Sequence, residues 1–298
     1  MANVLTNLSE ALAQTVESVG PSIVRVEGRR RMAASGIVWS EDGLVVTANH
    51  VLKHDTNLVV GLLDGSRSNA ELVGRDPSTD LAVIKVEASG LTAAPRSPAE
   101  SDLQVGHLVL ALGRPGRTVQ ATLGIVSALG DSWRTGAGGQ IDRYLQTDVV
   151  MYPGFSGGPL VSAQGEVIAL NTSALLRGVS LAIPVATLDR VAGTLLAHGR
   201  MRRGYLGVST QPVRLPEAAQ EELDQETGLL IVSVEADSPA SQAGLVMGDA
   251  IVGLDDEIVR HHDDLLGLLS GERVGNKVPV RIVRGGEVRT LNVTIGEK

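Results

Sequence analysis

The sequence predicts a mainly β protein of two domains, an all-β barrel or sandwich followed by a smaller unit framed by strands. Three observations predict it. The 298 residues allow two domains at roughly 100–200 residues each. From Ser22 to about Ile183, short apolar runs alternate with turn residues. Helical periodicity then returns in PVATLDRVAGTLLAHG, and strand-like runs resume beyond it. Hydrophobic residues make up 43% and charged residues 20%, the balance of a globular chain with a sizeable core.

Taken in order, Leu5, Leu8, Leu12, Val16 and Val19 recur at helical spacing. They predict an amphipathic helix over 4–18, either packed on the body or used as an oligomer contact. The runs SIVRV, GIVWS, LVVTA, NLVVGLL, LAVIKV, LVLALG, LGIVSAL, YLQTDVV and EVIALNT then read as strands. Gly199 stands where a C-terminal stop for the second helix belongs. The basic stretch GRMRRG, 199–204, reads as a joint. Beyond it, GLLIVSV, VPVRIV and VRTLNVTI are strand-like, the last two hinged at Arg284-Gly285-Gly286-Glu287. A short helix is expected over about 262–270. The expected domains are a helical segment at 1–20, a first domain at 21–199, and a linker with a second domain at 200–298.

Charge and composition narrow the function. The formal net charge is −8, which argues against a nucleic-acid or anionic-lipid partner. Residues 1–200 carry 16 basic and 18 acidic side chains, and residues 201–298 carry 10 and 16. There is no cysteine, so disulfides, thiolate metal sites and cysteine nucleophiles are excluded together. No stretch of about 18 uncharged apolar residues suggests a membrane span. The first 20 residues lack the basic start and apolar block of a secretory signal. A cytoplasmic location is therefore expected if the chain is full length, and a periplasmic or secreted one if a leader has been removed. No cofactor and no metal are expected.

Gly154-Phe155-Ser156-Gly157-Gly158-Pro159 is the strongest local signal. A serine hydroxyl needs a base, and a tetrahedral intermediate needs N–H donors aimed at its oxyanion. Glycine before the serine lets the N–H groups of Gly154 and Ser156 face one pocket. A glycine-rich hairpin loop is the competing reading. Among six histidines, His50 ends the apolar run VVTANHV and is placed to aim an imidazole. A structural histidine is the competing reading there. His50 and His54 have metal-pair spacing, but no Glu follows His50 and no third ligand is evident. Asp80, just before LAVIKV, is the best orienter for an imidazole, with a turn or cap role as its alternative. Asp76, followed by Pro77, reads as the turn-former.

The order His, Asp, Ser is the chymotrypsin order. TANHV, DPSTDLAVIKV and GFSGGPL resemble the three catalytic segments of the HtrA (Deg) serine proteases. The similarity extends through LGRPGRTVQATLGIVSALG, YLQTDVV, VIALNTS and SLAIP, covering nearly all of 20–185. It implies a chymotrypsin-like pair of six-stranded barrels with His50 as general base, Asp80 as orienter and Ser156 as nucleophile. It also implies unfolded or damaged polypeptides as substrates and Asn171, Thr172 and Ser173 as the strand that pairs with them. Val150, six residues before the nucleophile, and Met151 offer no carboxylate to a basic side chain. Cleavage after small or medium apolar residues is expected, since a buried unpaired Arg or Lys is costly.

The chain departs from the family pattern at Phe155, where Asn is usual, and at Asp131, where arginine is usual, with Arg134 nearby. Phe155 is expected to reshape the leaving-group side, and Pro153 to stiffen the loop. The N-terminal segment lacks the aromatics that often build the family trimer. A homo-oligomer is nonetheless expected, a trimer among the options.

In the second domain, Gly204-Tyr205-Leu206-Gly207-Val208 forms a glycine-flanked loop that could present N–H groups to a carboxylate. A plain turn is the alternative. GLLIVSV, SPA, AGL and GDAI follow in order, and together they resemble a PDZ domain of the HtrA type over about 204–296. That resemblance implies a small α+β domain binding C-terminal peptides, in a groove lined by Tyr205, Leu206, Gly207, Val208, Leu265, Leu266 and Leu269. The combined expectation is a serine endopeptidase with one PDZ module. A catalytically silent peptide binder or chaperone on the same fold is the alternative.

Overall fold

The protein is described from a computed structural model, covering residues 2–29, 32–96, 102–176, 178–202, 204–269 and 273–297. It divides into two compact units, Met1–Met201 and Arg202–Lys298.

The first unit opens with helix α1 (Ala2–Val19). Only the later part of its apolar stripe is packed: Val19 is buried, and Leu12 and Val16 lie against the core. Leu5 and Leu8 remain 71% and 40% exposed. Six strands follow: β1 (Ile23–Val26), β2 (Ala34–Val38), β3 (Leu44–Ala48), β4 (Leu58–Gly61), β5 (Arg67–Asp76) and β6 (Leu81–Val86). They close into a barrel in the order β1-β2-β3-β6-β5-β4. Closure removes the unpaired edges an open sheet would expose.

The second barrel is built from β7 (Leu108–Gly113), β8 (Gln120–Gly130), β11 (Tyr144–Thr147), β12 (Pro159–Ser162), β13 (Val167–Thr172) and β14 (Ser180–Pro184). Its order is β11-β14-β13-β12-β7-β8, again closed. A two-stranded hairpin, β9 (Trp133–Arg134) and β10 (Gln140–Ile141), projects between β8 and β11. Helix α2 (Val185–His198) buries Val185, Leu188, Val191, Ala192 and Leu195 against β5, β6, β13 and β14, so it braces both barrels. Gly199 ends it, donating its N–H to the Leu195 carbonyl.

The second unit has a short pair, β15 (Gly204–Tyr205) with β22 (Gly296–Glu297), and a sheet ordered β16-β17-β18-β20-β21. Its strands are β16 (Val208–Arg214), β17 (Thr227–Val234), β18 (Ala250–Leu254), β20 (Lys277–Arg284) and β21 (Glu287–Thr294), with β19 (Glu257–Ile258) hanging off β18. Helices α3 (Glu217–Leu223), α4 (Pro239–Gln242) and α5 (His262–Leu268) complete it. The β20–β21 hairpin turns at Gly285-Gly286 as the sequence predicts. Strand β16 lies at one edge of the sheet, with α5 against it.

One ion pair anchors this unit. Asp249 is fully buried, takes two bonds from Arg284 at 2.6 and 2.7 Å, and also accepts the Val246 N–H. Removing the cation leaves a carboxylate in the interior with too little compensation. Arg284→Met should destabilise the second unit by about 3 kcal/mol. Faster hydrogen exchange across β18 and β20, with the first unit unchanged, would register the loss.

Candidate active site

Two of the three expected side chains meet at neighbouring strand ends, and the loop that carries the third packs against the strand leading to one of them. His50 lies in a short helical turn, Asn49–Val51, directly after β3. Asp80 lies in the turn between β5 and β6, with a left-handed φ of +59°. Pairing of β3 with β6 brings Ala48 opposite Leu81, so the two turns sit side by side. Asp80 Oδ2 is 2.8 Å from His50 Nδ1, and Oδ1 accepts the His50 backbone N–H at 2.8 Å. The Asp80 carbonyl takes the Asn49 N–H. Asp80 is 4% exposed, while the His50 side chain is 25% exposed. The carboxylate is thus sequestered and the ring is reachable.

Asp76 serves as the turn-former. Its buried carboxylate accepts from the Ser78 N–H and hydroxyl and from the Thr79 hydroxyl. The β9–β10 hairpin braces this turn, because Thr135 Oγ1 donates to the Ser78 carbonyl at 2.6 Å. Asp131 lies just before that hairpin and Arg134 ends its first strand: the Asp131 carbonyl accepts the Tyr144 N–H, and Arg134 bonds the Gly138 carbonyl. His54 is exposed, and no cluster of three or more metal-ligating side chains is found among the described residues.

Ser156 is 7% exposed, in the loop between β11 and β12. That loop fits only because Gly157 lacks a side chain. A Cβ there would lie 2.1 Å from the Ser35 carbonyl oxygen and 2.4 Å from Thr47 Oγ1, and its φ is +86°. The same approach sets the loop against Ala48, two residues before His50. Phe155, Gly157 and Gly158 donate their N–H groups to the carbonyls of Tyr152, Asn171 and Phe155. Among the described residues, the N–H groups of Gly154 and Ser156 have no acceptor within the chain. They are the two donors expected for an oxyanion.

Other expected positions are placed differently. The Ser156 hydroxyl is 3.3 Å from Ser173 Oγ, and no hydrogen bond joins it to His50. The single hydrogen-bonded line from acid to ring to hydroxyl is therefore half formed here, at the acid–ring end. Catalytic hydrogen bonds are commonly loose without substrate. Thr172 turns inward and donates its hydroxyl to Asp80 Oδ2. Asn171 is 1% exposed, its amide donating to the Pro159 carbonyl, while its backbone N–H and C=O are taken by Gly158 and Gly157. Of this trio only Ser173 faces solvent. Val150 is 55% exposed and does not floor an enclosed pocket, and Met151 is half-buried against the second barrel's core. Phe155 corrects an expectation. It is fully buried among Val109, Leu160 and Ala169 and meets Tyr152 edge to face at 5.9 Å, so it anchors the loop and does not line the leaving-group side.

Sequence reasoning passed over Ser35, Thr47 and Arg114. Each is a polar or charged residue on or beside an apolar strand and is almost wholly buried. A buried polar residue needs partners, which is the only signal the sequence carried for them.

In the second unit, Leu206 and Leu265 belong to the core, at 2% and 5% exposure. Val208 and Leu269 pack partly against it, and Leu266 is exposed. The carbonyls of Leu206 and Gly207 are taken by Ala240 and Glu235, while the N–H groups of these two residues have no acceptor among the described residues. The Tyr205 hydroxyl donates to Glu235, a bond that pushes the phenol's pKa up. His262, at the start of α5, donates from Nε2 to the Thr210 carbonyl of β16 at 2.9 Å.

Two closed six-stranded barrels, with a His–Asp pair and a serine loop converging on one another, define a chymotrypsin-like peptidase fold. Comparison with known proteins agrees. The trypsin-like peptidase domain family matches residues 34–170, and the PDZ domain family matches residues 204–295. A probable periplasmic serine endoprotease, DegP-like, of Halomonas elongata is 39% identical over 274 residues, which is 90% of this chain and 57% of that one. The chain thus spans less than three-fifths of the length of that curated relative. Among solved structures, the serine endoprotease from Yersinia pestis superposes with a TM-score of 0.77 at 31% identity, over 96% of this chain and 97% of that one. The HtrA-type protease AlgW with a decapeptide gives 0.79 at 27% identity, over 96% and 98%. The chain belongs to the HtrA family of serine proteases.

Proposed function

We propose that the chain is a serine endopeptidase acting on unfolded polypeptides, with a peptide-binding PDZ unit. The observation that carries this reading is the buried Asp80 bonded to an accessible His50, beside a serine loop with two free N–H donors. Ser156 attacks a peptide carbonyl, and His50 takes its proton. Asp80 keeps the proton on Nδ1 and stabilises the imidazolium. The Gly154 and Ser156 N–H groups hold the oxyanion. His50 then protonates the leaving amine, and water releases the acyl group by the same steps. Asn171 and Thr172 act behind the site, and Ser173, exposed and with its hydroxyl 3.3 Å from that of Ser156, offers its backbone to a substrate strand.

The free N–H groups of Leu206 and Gly207 support capture of a peptide carboxylate, with the peptide adding as a strand along the β16 edge. The exposed Val4, Leu5 and Leu8 of α1 support assembly into a homo-oligomer. The name of the Halomonas relative supports a periplasmic location over the cytoplasmic expectation. Among the described residues no helix is long and apolar enough to cross a membrane. The silent-binder alternative finds no support in the comparisons, and all three side chains of an active site are present.

A fluorophosphonate probe tests the central claim. The wild-type chain should be labelled on Ser156, and it should cleave casein and peptides with Val or Ala before the scissile bond faster than those with Arg or Lys. Absence of both labelling and cleavage, with and without added C-terminal apolar peptides, would refute the reading. The Ser156–Ser173 contact gives a second expectation. A neutral hydrogen bond contributes about 0.5–1.5 kcal/mol, so Ser173→Ala should speed labelling by roughly 2–10-fold. An unchanged labelling rate would show that the contact does not hold the nucleophile back.

A further inference from the structure

We propose that Ser35 is a positioning residue that aims the oxyanion N–H pair, and that Arg114 ties it to the chain turn at Gly20. The inference rests on reading Ser156 as the nucleophile.

Ser35, on β2, is fully buried and turns two of its three polar atoms to this loop. Its backbone N–H donates to the Ser156 carbonyl at 3.1 Å. Its hydroxyl donates to the Gly154 carbonyl at 2.7 Å. The Phe155 carbonyl between them accepts the Gly158 N–H. Three consecutive carbonyls of the loop are therefore held, two of them by one residue. Fixing a carbonyl fixes its whole peptide plane. The planes on both sides of the one that carries the Ser156 N–H are thus locked.

Gly154 is where such a hold matters most. Its φ is +95°, and glycine has the widest conformational freedom of any residue. Nothing intrinsic to its backbone keeps its N–H aimed at a reacting carbonyl. The bond from Ser35 to its carbonyl anchors the peptide plane that follows, so the Gly154 N–H can move against that anchor only through the two torsions of Gly154 itself. Contact with the 114–115 segment supplies the steric half, since a Cβ on Gly154 would come within 2.5 Å of Pro115 Cβ.

The hydroxyl's direction is itself set from behind. The Arg114 backbone N–H donates to Ser35 Oγ at 2.7 Å, which turns the hydroxyl's single proton toward Gly154. Thr47 Oγ1 holds the Ser35 carbonyl at 2.7 Å. Arg114 is only 2% exposed, among the largest fully buried side chains of the protein. Its Nη2 donates to the Gly20 carbonyl at 2.9 Å, just past the end of α1. Its Nε and Nη1 have no partner among the described residues, and burial pulls its pKa below the ordinary arginine value. A guanidinium so sparsely bonded is a costly filler for a core. Its one hydrogen bond to protein runs to the turn that joins α1 to the first barrel, which links that turn through Ser35 to the loop.

Kinetics and hydrogen exchange test the clamp together. Ser35→Ala should lower kcat on a chromogenic peptide by roughly 100-fold while KM stays within about threefold, because a misaimed oxyanion donor affects the transition state. Exchange across 153–158 should quicken at least about tenfold, with β17 and β18 unchanged. Arg114→Met keeps the side-chain volume and removes the guanidinium. It should quicken exchange at 20–24 and at 153–158 together and lower kcat by about tenfold. Should Ser35→Ala fail to fold, Ser35→Cys, which fills the same place with a far weaker donor, takes its part in both measurements, because Arg114→Met leaves the backbone N–H on Ser35 in place. Wild-type kcat and wild-type exchange at 153–158 in the folded variants would overturn the clamp. A wild-type protein that neither labels nor cleaves, yet shows these exchange changes on substitution, would leave the clamp standing and remove the peptidase reading.

Discussion

Ser156→Ala is expected to fold as the wild type does and to lose roughly a millionfold in kcat. The loss is that large because the remaining parts act on a nucleophile that is gone. His50 has no hydroxyl to deprotonate, and no acyl-enzyme forms. What survives is binding and the Gly154 and Ser156 N–H pair, which still favour a tetrahedral oxyanion formed by water. The structural cost is small. Among the described residues the hydroxyl has one hydrogen-bond partner, Ser173 at 3.3 Å, and the carbonyls that hold the loop are untouched. Unfolding midpoints should match within a degree or two, and fluorophosphonate labelling should vanish. Purified variant that still turned over peptide near the wild-type rate would refute the assignment of the nucleophile.

Asp80→Asn is expected to cost about 10⁴-fold in kcat with little change in stability. The carboxylate receives three hydrogen bonds: the His50 backbone N–H on Oδ1, and His50 Nδ1–H and the Thr172 hydroxyl on Oδ2. A backbone N–H cannot reverse its role. Asn must therefore keep its oxygen at the Oδ1 place and put its NH₂ where Oδ2 was. That group donates to His50 Nδ1, which moves the ring proton to Nε2. The imidazole then faces Ser156 with a hydrogen and cannot act as its base. Thr172 adapts by rotating its hydroxyl to accept. Asn also tolerates the left-handed φ of +59° at this position, so the fold has no reason to object. Nitrogen-15 spectra of the imidazole would report the tautomer directly. A variant within tenfold of wild-type kcat would show that Asp80 does not orient the base.

Both expectations concern residues legible in the sequence, and the reason is local. His50, Asp80 and Ser156 each lie at the end of an apolar run, inside short motifs whose turn chemistry is written in neighbouring glycine, proline and aspartate. The barrel strands were legible for the same reason, as runs of Val, Leu and Ile. Strands β5, β12 and β14 were the exceptions: RSNAELVGRD is mixed in polarity, with a register shift between Leu72 and Gly74, and PLVS and SLAIP offer only two and three apolar side chains beside a proline. Helices α3 and α4 are too short for periodicity to show. Side-chain direction was the harder quantity. At strand ends and in loops the alternation of inward and outward residues breaks down. Val150 was expected in a pocket and lies exposed, Thr172 was expected only as part of a strand that pairs with substrate and its hydroxyl reaches Asp80, and Leu206 was expected to line a groove and packs in a core. Ser35 and Arg114 are invisible to local reading, since their partners at Gly154 and Gly20 lie 119 and 94 residues away.

The burial of Phe155 bears on how such a chain could be redesigned. A randomised library aimed at new cleavage preferences has open ground at Val150, which is 55% exposed, whereas Tyr152, 54% exposed, would give up its edge-to-face contact with Phe155. Position 155, one step from the reacting hydroxyl, offers no such latitude. Any side chain smaller than the aromatic ring would leave a hollow in the barrel and let the loop sink into it. Selection would therefore return phenylalanine there, whatever bond the library was asked to cut.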